Sequence, residues 1–372
     1  MLFIDADTVR QILPMNELIP ALEDVFRGVL TRESVHRGRI DIFVPNDDPD
    51  GYYRWGTMEG ASKKLGMHAI RMKSDVISYP KDANGDFTTE EKYCVEPGTY
   101  CGLVSLFSTR NGEPLAIINE GHLQHMRVAA SGGIGIKSLA REDAETIGMY
   151  GSGGMARDFL RAALCVRPIR KVKVYSPTKE HGDAYAREMS QELEIEIEVM
   201  DNPRDVARGV DVIATCTDNL LPFLEWDWVE PGQHITSTGG NNWVEEVYRK
   251  ADLVMSQDLP NLVPADGGAE QRHIRANMVG SGYAAGTDEE VARLPLHLGR
   301  PRAAGVRIWN WLDLVAGKVN GPANESQVTV FHAGGVKGLD LLAGGYLVYT
   351  KAKQLGLGRE IPTGWFLQDV RD

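Results

Sequence analysis

Between residues 145 and 258 the chain alternates short apolar strand-like runs with helical runs, a pattern that few folds accommodate. ETIGMYG is an apolar run ending in glycine, and MARDFLRAALCV has its apolar residues at helical spacing. KVKVYS alternates, a polar helix runs through EHGDAYAREMSQEL, and IEIEVMD alternates so strictly that its glutamates belong on one solvated face. PRDVARGV reads as a short helix, DVIATCT as a buried strand, and HITSTGG and DLVMSQD as two further strands. Successive βαβ units predict an α/β fold built on a doubly wound parallel sheet of Rossmann type, with helices on both faces.

The flanking sequence behaves differently. Turn-rich stretches (PNDDPDG, KDANGD, TRNGEP) separate strand-like runs such as MHAIRMKSDVI, YCGLVSLFS and LAIINEG, and Asn111–Gly112 suits a hairpin turn. QHMRVAASGGIGIKSLA reads as a helix leading into the parallel unit. After residue 325, SQVTVFHAGG reads as a strand and LDLLAGGYLVYTKAKQLG as a helix. The expected division is an α+β domain from residues 1–128 plus 325–372, with a Rossmann domain of residues 129–324 inserted into it. At 372 residues, 42% hydrophobic and 25% charged, the chain can build two cores.

A net charge of −12 and a pI near 5.3 argue against a general binder of nucleic acid or anionic membranes. No apolar run approaches the length of a membrane span, and the N-terminus lacks the basic and apolar regions of a signal peptide. Cys94, Cys101, Cys165 and Cys216 are scattered without a CxxC pair, so no metal site is expected and the chain reads as reduced and cytoplasmic.

MYGSGGMA supplies Gly151, Gly153, Gly154, Met155 and Ala156 in a GxGxxA pattern, between a strand and a helix. The first glycine permits the tight turn, and the second lets the backbone approach a pyrophosphate. The third small residue lets the helix pack closely, with the phosphates at its N-terminus. Thr215, Thr217 and Gly239 follow later strands of the same unit and join the expected cofactor set. An NAD site usually carries an acidic residue at the end of the second strand. Here that place holds Ser176, followed by Thr178 and Lys179, which could hold a 2′-phosphate. NADP(H) is therefore expected in preference to NAD(H), the alternative being a solvated Lys179 and NAD bound without the acid.

Taken together, NGEPLAIINEGHLQHMRVAASGGIGIKSLA, IGMYGSGGMARDFLRAALCVRPIRKVKVYS, VEPGQHITSTGGNN and ESQVTVFHAGG resemble the ornithine cyclodeaminase/μ-crystallin family in order and interval. The resemblance implies that the α+β domain binds substrate and dimerises, and that the chemistry acts on α-amino acids or imines. It places the carboxylate-binding arginine at Arg39, the lysine at Lys73, the helix-borne arginine at Arg127 and a substrate-side threonine at Thr99. Two arginines offer planar forks for a carboxylate, and a lysine among cations should have a lowered pKa suited to proton exchange.

Two departures bear on the reaction. Where the cyclodeaminases place an aspartate after the Gly239–Gly240 pair, this chain has Asn241, which cannot act as a general base. Where they place a glutamate for the distal amine, the alignment puts Arg54. Arg71, two residues before Lys73, lies on the same strand face. Together these suggest a dicarboxylic substrate, unless Arg54 and Arg71 pair with Glu59, Asp75 or a dimer partner. His332 could donate a proton to an imine or be a hydrogen-bonded loop residue. His122 and His125 are read as packing or capping residues, and Asp340 as a helix cap near the substrate.

The expectation is a homodimeric NAD(P)H-dependent oxidoreductase acting on the C–N bond of a small α-amino or α-imino acid. Two alternatives stay open: a cyclodeaminase-type lyase using NAD catalytically, and a non-catalytic binding protein of the μ-crystallin type.

Overall fold

The computed structural model describes residues 1–47, 51–85, 87–238, 242–258, 273–277, 280–294, 305–334 and 338–369. The chain begins with β1 (Leu2–Ile4), α1 (Ala6–Ile12) and α2 (Met15–Leu30). Three long strands follow, β2 (Ser34–Pro45), β3 (Gly51–Ser62) and β4 (Met67–Ser78). Then come β5 (Glu91–Tyr93), β6 (Cys101–Ser108), β7 (Pro114–Asn119) and the helix α3 (Glu120–Leu139). The alternating unit runs β8 (Thr146–Tyr150), α4 (Gly154–Leu164), β9 (Lys171–Tyr175), α5 (Lys179–Leu193), β10 (Glu196–Val199), α6 (Pro203–Ala207), β11 (Val212–Thr215), β12 (His234–Ser237), α7 (Glu245–Lys250) and β13 (Leu253–Ser256). The remainder comprises β14 (His273–Asn277), β15 (Gly280–Ala284), α8 (Asp288–Ala292), β16 (Trp309–Asn310), α9 (Trp311–Val315), β17 (Thr329–His332), α10 (Gly338–Leu355) and β18 (Arg359–Glu360).

Among the described residues these strands form two sheets. The eight-stranded sheet, in the order β10-β9-β8-β11-β12-β17-β13-β16, is parallel, as the βαβ pattern requires. Its central strands are buried on both faces, which is why they read as unbroken apolar runs. The ten-stranded sheet is mixed and built around the antiparallel meander β2-β3-β4-β6-β7. In β3 burial alternates with a period of two, one face lying under helices and the other half-open. The β6–β7 hairpin turns at Asn111–Gly112 as the sequence suggests, with Gly112 at φ 79°.

The pairing revises the expected boundaries at two places. β17 was assigned to the returning C-terminal piece, yet it pairs with both β12 and β13, so the parallel unit extends past residue 325. All four of its residues are buried, as an interior parallel strand requires. Conversely, β15 lies inside the segment read as Rossmann, but pairs with β2 from Arg39 to Phe43, carrying β14 with it into the other sheet. Those strands satisfy the backbone edge that β2 would otherwise leave open.

α3 joins the two layers. Its sequence is small and apolar where it passes between them: a Cβ on Gly132 would meet the Phe159 ring, and one on Gly135 the Phe331 ring. No helix among the described residues is long and apolar enough to cross a membrane.

Candidate active site

The buried face of the mixed sheet carries the charged residues. β2 brings Arg39 and Asp41, β3 brings Arg54, and β4 brings Arg71, Lys73 and Asp75 at a spacing of two, so all three point to one side. Directly opposite Lys73 stand Gly56 on β3 and Gly102 on β6. Neither position has room for a side chain. A Cβ at Gly56 would lie 3.2 Å from Arg39 Nε, and one at Gly102 would collide with the Glu120 carboxylate. The two glycines thus leave a trough in which Arg39 and Glu120 lie flanking Lys73. From above, α3 adds Arg127 and α10 adds the fully buried Asp340.

Each cation in this cluster has a carboxylate at hand. Arg39 Nε donates to Asp41 Oδ1 at 2.7 Å. Arg54, 1% exposed, lies 2.7 Å from Asp75 and 3.2 Å from Glu90. Arg71 donates twice to Glu120. Lys73 Nζ is 3.5 Å from Asp75 Oδ1, and Arg127 is 3.3 Å from Asp340 Oδ2. Arg127 is further fixed by the side-chain oxygen of Gln124, and Ser131 donates to Asp340. Arg54 and Arg71 are therefore balanced within the fold, by Asp75, Glu90 and Glu120. Glu59 pairs instead with Arg37 on the open face.

Burial shapes the proton affinities here. It lowers the Lys73 ammonium to a pKa of about 8, aided by Lys92 and opposed by Asp75. Burial also works against the charge on Arg54, but Glu90 and Asp75 outweigh it and raise the pKa further. The lysine is thus the group of the cluster poised between charged and neutral at ordinary pH.

Other expected residues lie elsewhere. Thr99 is exposed, and its hydroxyl donates to the Cys94 and Glu96 carbonyls of its own turn. His332 ends β17 and is buried, its ring stacked 5.4 Å from Tyr248 and tilted against Trp243 at 4.9 Å. It faces that aromatic pair, in a strand rather than a loop. Asn241 and Gly239 fall outside the described residues. Asp340 sits against Arg127, in the first turn of α10. Asp75 was weighed as a partner of Arg54 and does pair with it, whereas Asp41, Glu90 and Glu120 were the carboxylates missed. Asp41 follows Arg39 by two residues on one strand, a signal the period-two rule could have used.

The dinucleotide loop lies at the C-terminal edge of the parallel sheet. Gly151 has φ 110°, and a Cβ there would collide with the Cys216 carbonyl, so only glycine fits. Gly153 is the N-cap of α4 and offers no side-chain cap. A Cβ there would meet nothing, leaving open space before the helix N-terminus. Met155 is partly buried and Ala156 fully buried, receiving the Tyr185 hydroxyl on its carbonyl. Thr215 ends the neighbouring β11 and Thr217 lies just beyond it, with Cys216 N donating to the Tyr150 carbonyl between them. Ser176 follows β9 directly, Thr178 is the N-cap of α5, and exposed Lys179 reaches Asp201 at 3.0 Å. This loop fits a dinucleotide's pyrophosphate: a glycine-only turn, an uncapped helix N-terminus and free space in front.

The family model for the ornithine cyclodeaminase/mu-crystallin family matches residues 90–355. The chain belongs to that family. Among curated relatives, this family member is 27% identical over 363 residues to a Delta(1)-pyrroline-2-carboxylate reductase of Bacillus cereus, covering 97% of this chain and 99% of the relative. A putative dehydrogenase of Rhizobium meliloti and an uncharacterized cyclodeaminase of Sinorhizobium fredii, each 28% identical, match over 63% of this chain and 66% of their own length. Among solved structures, it is similar to the Thermococcus litoralis Delta(1)-pyrroline-2-carboxylate reductase in complex with NADH and L-proline, with TM-score 0.73, 21% identity and coverage of 97% and 100%. It is also similar to the iminosuccinate reductase of Paracoccus denitrificans in complex with NAD+, with TM-score 0.71, 19% identity and coverage of 97% and 99%. At these identities the structural likeness speaks for the fold.

Proposed function

We propose that this protein is a nicotinamide-dependent oxidoreductase that reduces the C=N bond of a small α-imino acid, or oxidises the corresponding amino acid. The observation that carries this reading is the gathering of Arg39, Lys73 and Arg127 on one buried face, with Lys73 lowered to a pKa of about 8. The full-length likeness to a pyrroline-2-carboxylate reductase supports it.

In this reading Arg39 and Arg127 hold the substrate's α-carboxylate by charge-assisted hydrogen bonds, each guanidinium already oriented by Asp41 or by Asp340 and Gln124. Lys73, or a water it holds, gives the proton that the imine nitrogen gains and takes it back in the reverse direction. Gly151, Gly153, Gly154, Met155 and Ala156 hold the pyrophosphate, with Thr215 and Thr217 along the same edge. When bound there, the nicotinamide supplies or accepts the hydride. A doubly anionic substrate would require Arg54 or Arg71 to release its carboxylate.

We place NADP(H) ahead of NAD(H), because Ser176 stands where a carboxylate would repel a 2′-phosphate and Lys179 is exposed beside it. We also propose a homodimer, formed through the open face of β2 and β3. Ile42 and Val44 are exposed there opposite Trp55 and Tyr53, with Val35 nearby on the same strand.

The test is oxidation of NADPH and NADH at 340 nm by purified protein. Preformed cyclic imines would be compared with keto acids plus ammonia or methylamine, including pyruvate, 2-oxoglutarate and oxaloacetate. Oxidation with a cyclic or linear imine is expected. Ammonia release from ornithine without net cofactor turnover would replace this reading with cyclodeamination. Tight cofactor binding without turnover on any substrate would replace it with ligand storage.

A further inference from the structure

We propose that His125 is a further cofactor-binding residue, whose imidazole takes up a proton to meet the pyrophosphate at the start of α4. The inference deepens the reading above and rests on the dinucleotide loop identified there.

α3 presents two chemistries on two sides. Arg127 faces the charged trough, and His125, two residues away and therefore about 200° around the helix, faces α4. Its ring lies against Gly154, the first residue of α4. A Cβ at Gly154 would stand 2.9 Å from His125 Cε1 and 3.1 Å from Nδ1. Gly154 has no left-handed φ, so it is the histidine ring that excludes a side chain at this position. The neighbouring Gly153 borders open space. His125 therefore stands at the edge of the volume a pyrophosphate would fill, with its side chain 44% exposed.

The surroundings suit a proton taken up on binding. Burial lowers the His125 pKa, opposed chiefly by Asp158, so the free protein keeps the ring neutral near pH 7. Nδ1 lies 3.7 Å from Asp158 Oδ2, a buried carboxylate that Arg161 holds at 2.7 Å. Lys73 on β4, and Glu120 and His122 on α3 itself, complete the charged groups around it. Asp158 can balance one side of an imidazolium while the other side meets phosphate oxygens. The helix N-terminus and a cation would then act together on one anion. α3 thereby reaches both halves of the reaction, with its arginine at the substrate and its histidine at the cofactor.

The sign follows from linkage. Phosphates favour the protonated ring, so its pKa rises on binding. Affinity is then highest in mild acid and falls as pH rises from the free to the bound value. NADH is the probe, because its pyrophosphate stays ionised throughout and it carries no 2′-phosphate. Calorimetric titration from pH 6 to 8.5, in two buffers of different ionisation enthalpy, should show proton uptake approaching about one per site at the midpoint. His125→Ala should weaken NADH binding by about tenfold at pH 6 and flatten the pH dependence. His125→Gln should keep the packing against Gly154 yet lose the slope. Equal affinity and equal slope in wild type and variants would overturn the proposal, as would binding by wild type with no proton uptake. Absence of proton uptake by wild type overturns the proposal even where a variant fails to fold, and loss of the uptake in His125→Gln assigns the proton to this ring. Absence of any dinucleotide binding by wild type would instead bring down the cofactor reading itself.

Discussion

Lys73 is the residue on which the proposed chemistry turns. Its ammonium lies in a trough bounded by Gly56 and Gly102, and burial brings its pKa to about 8. In the reductive direction the charged form is the proton donor, so kcat/KM should fall as pH rises through about 8. In the oxidative direction the neutral form is the acceptor, and the same limb should rise. Lys73→Met should cost about 10²- to 10⁴-fold and abolish that limb, which a pH–rate profile with an active imine would show. A limb that persisted in the variant would assign the proton to another group. At the cofactor, Lys179 shares its charge with Asp201 across an exposed pair, and such pairs contribute little and yield readily to a phosphate. Lys179→Ala should reduce kcat/KM for NADPH severalfold and leave NADH unchanged, while Asp201→Ala should sharpen the preference for NADPH. Equal effects on both cofactors would remove Lys179 from the 2′-phosphate site.

At the level of elements, α3 bears the heaviest constraints. Its glycines are set by ring contacts on both sides, Phe159 from α4 and Phe331 from β17. Gly135→Ala should destabilise the protein by about 1–3 kcal/mol, because the Phe331 ring has no free volume to retreat into. Thermal or denaturant unfolding would measure it, and an unchanged midpoint would mean that the helix can shift. Elements of this kind were legible in the sequence. The strands β8 to β13 and the helices α3 to α6 follow from apolar period and glycine placement. What escaped was pairing across long separations. Nothing local in residues 273–284 says that β15 will join β2, and nothing in TVFH says that it belongs with the parallel strands. The candidate site divides the same way. Arg39, Lys73, Arg71, Arg54 and Arg127 do meet, because strand parity and family order fixed their faces. Thr99 was misplaced because its hydroxyl serves its own turn, and the compensating Glu90 and Glu120 come from segments that only the folded chain brings near.

For the molecule as a whole, the open face of the mixed sheet carries apolar side chains that a monomer would leave in water. Replacing Ile42 and Val44 together by glutamate should convert a dimer to a monomer in light scattering, while the charged trough on the opposite face keeps its pairs. A wild-type protein that is monomeric at micromolar concentration would sink the dimer. The parallel sheet has a different consequence, for synthesis. β17 is the last of its strands to leave the ribosome, yet its place is interior, between β12 and β13. Until Thr329–His332 arrives, those two strands each hold out an unpaired backbone edge while everything from Gln257 to Val328 is translated. The nascent chain therefore carries Arg127 and the glycine-rich loop long before the sheet beneath them closes. Completion of this fold is a single late insertion, and a chain cut short before Thr329 would be left with a divided sheet and two unpaired strand edges.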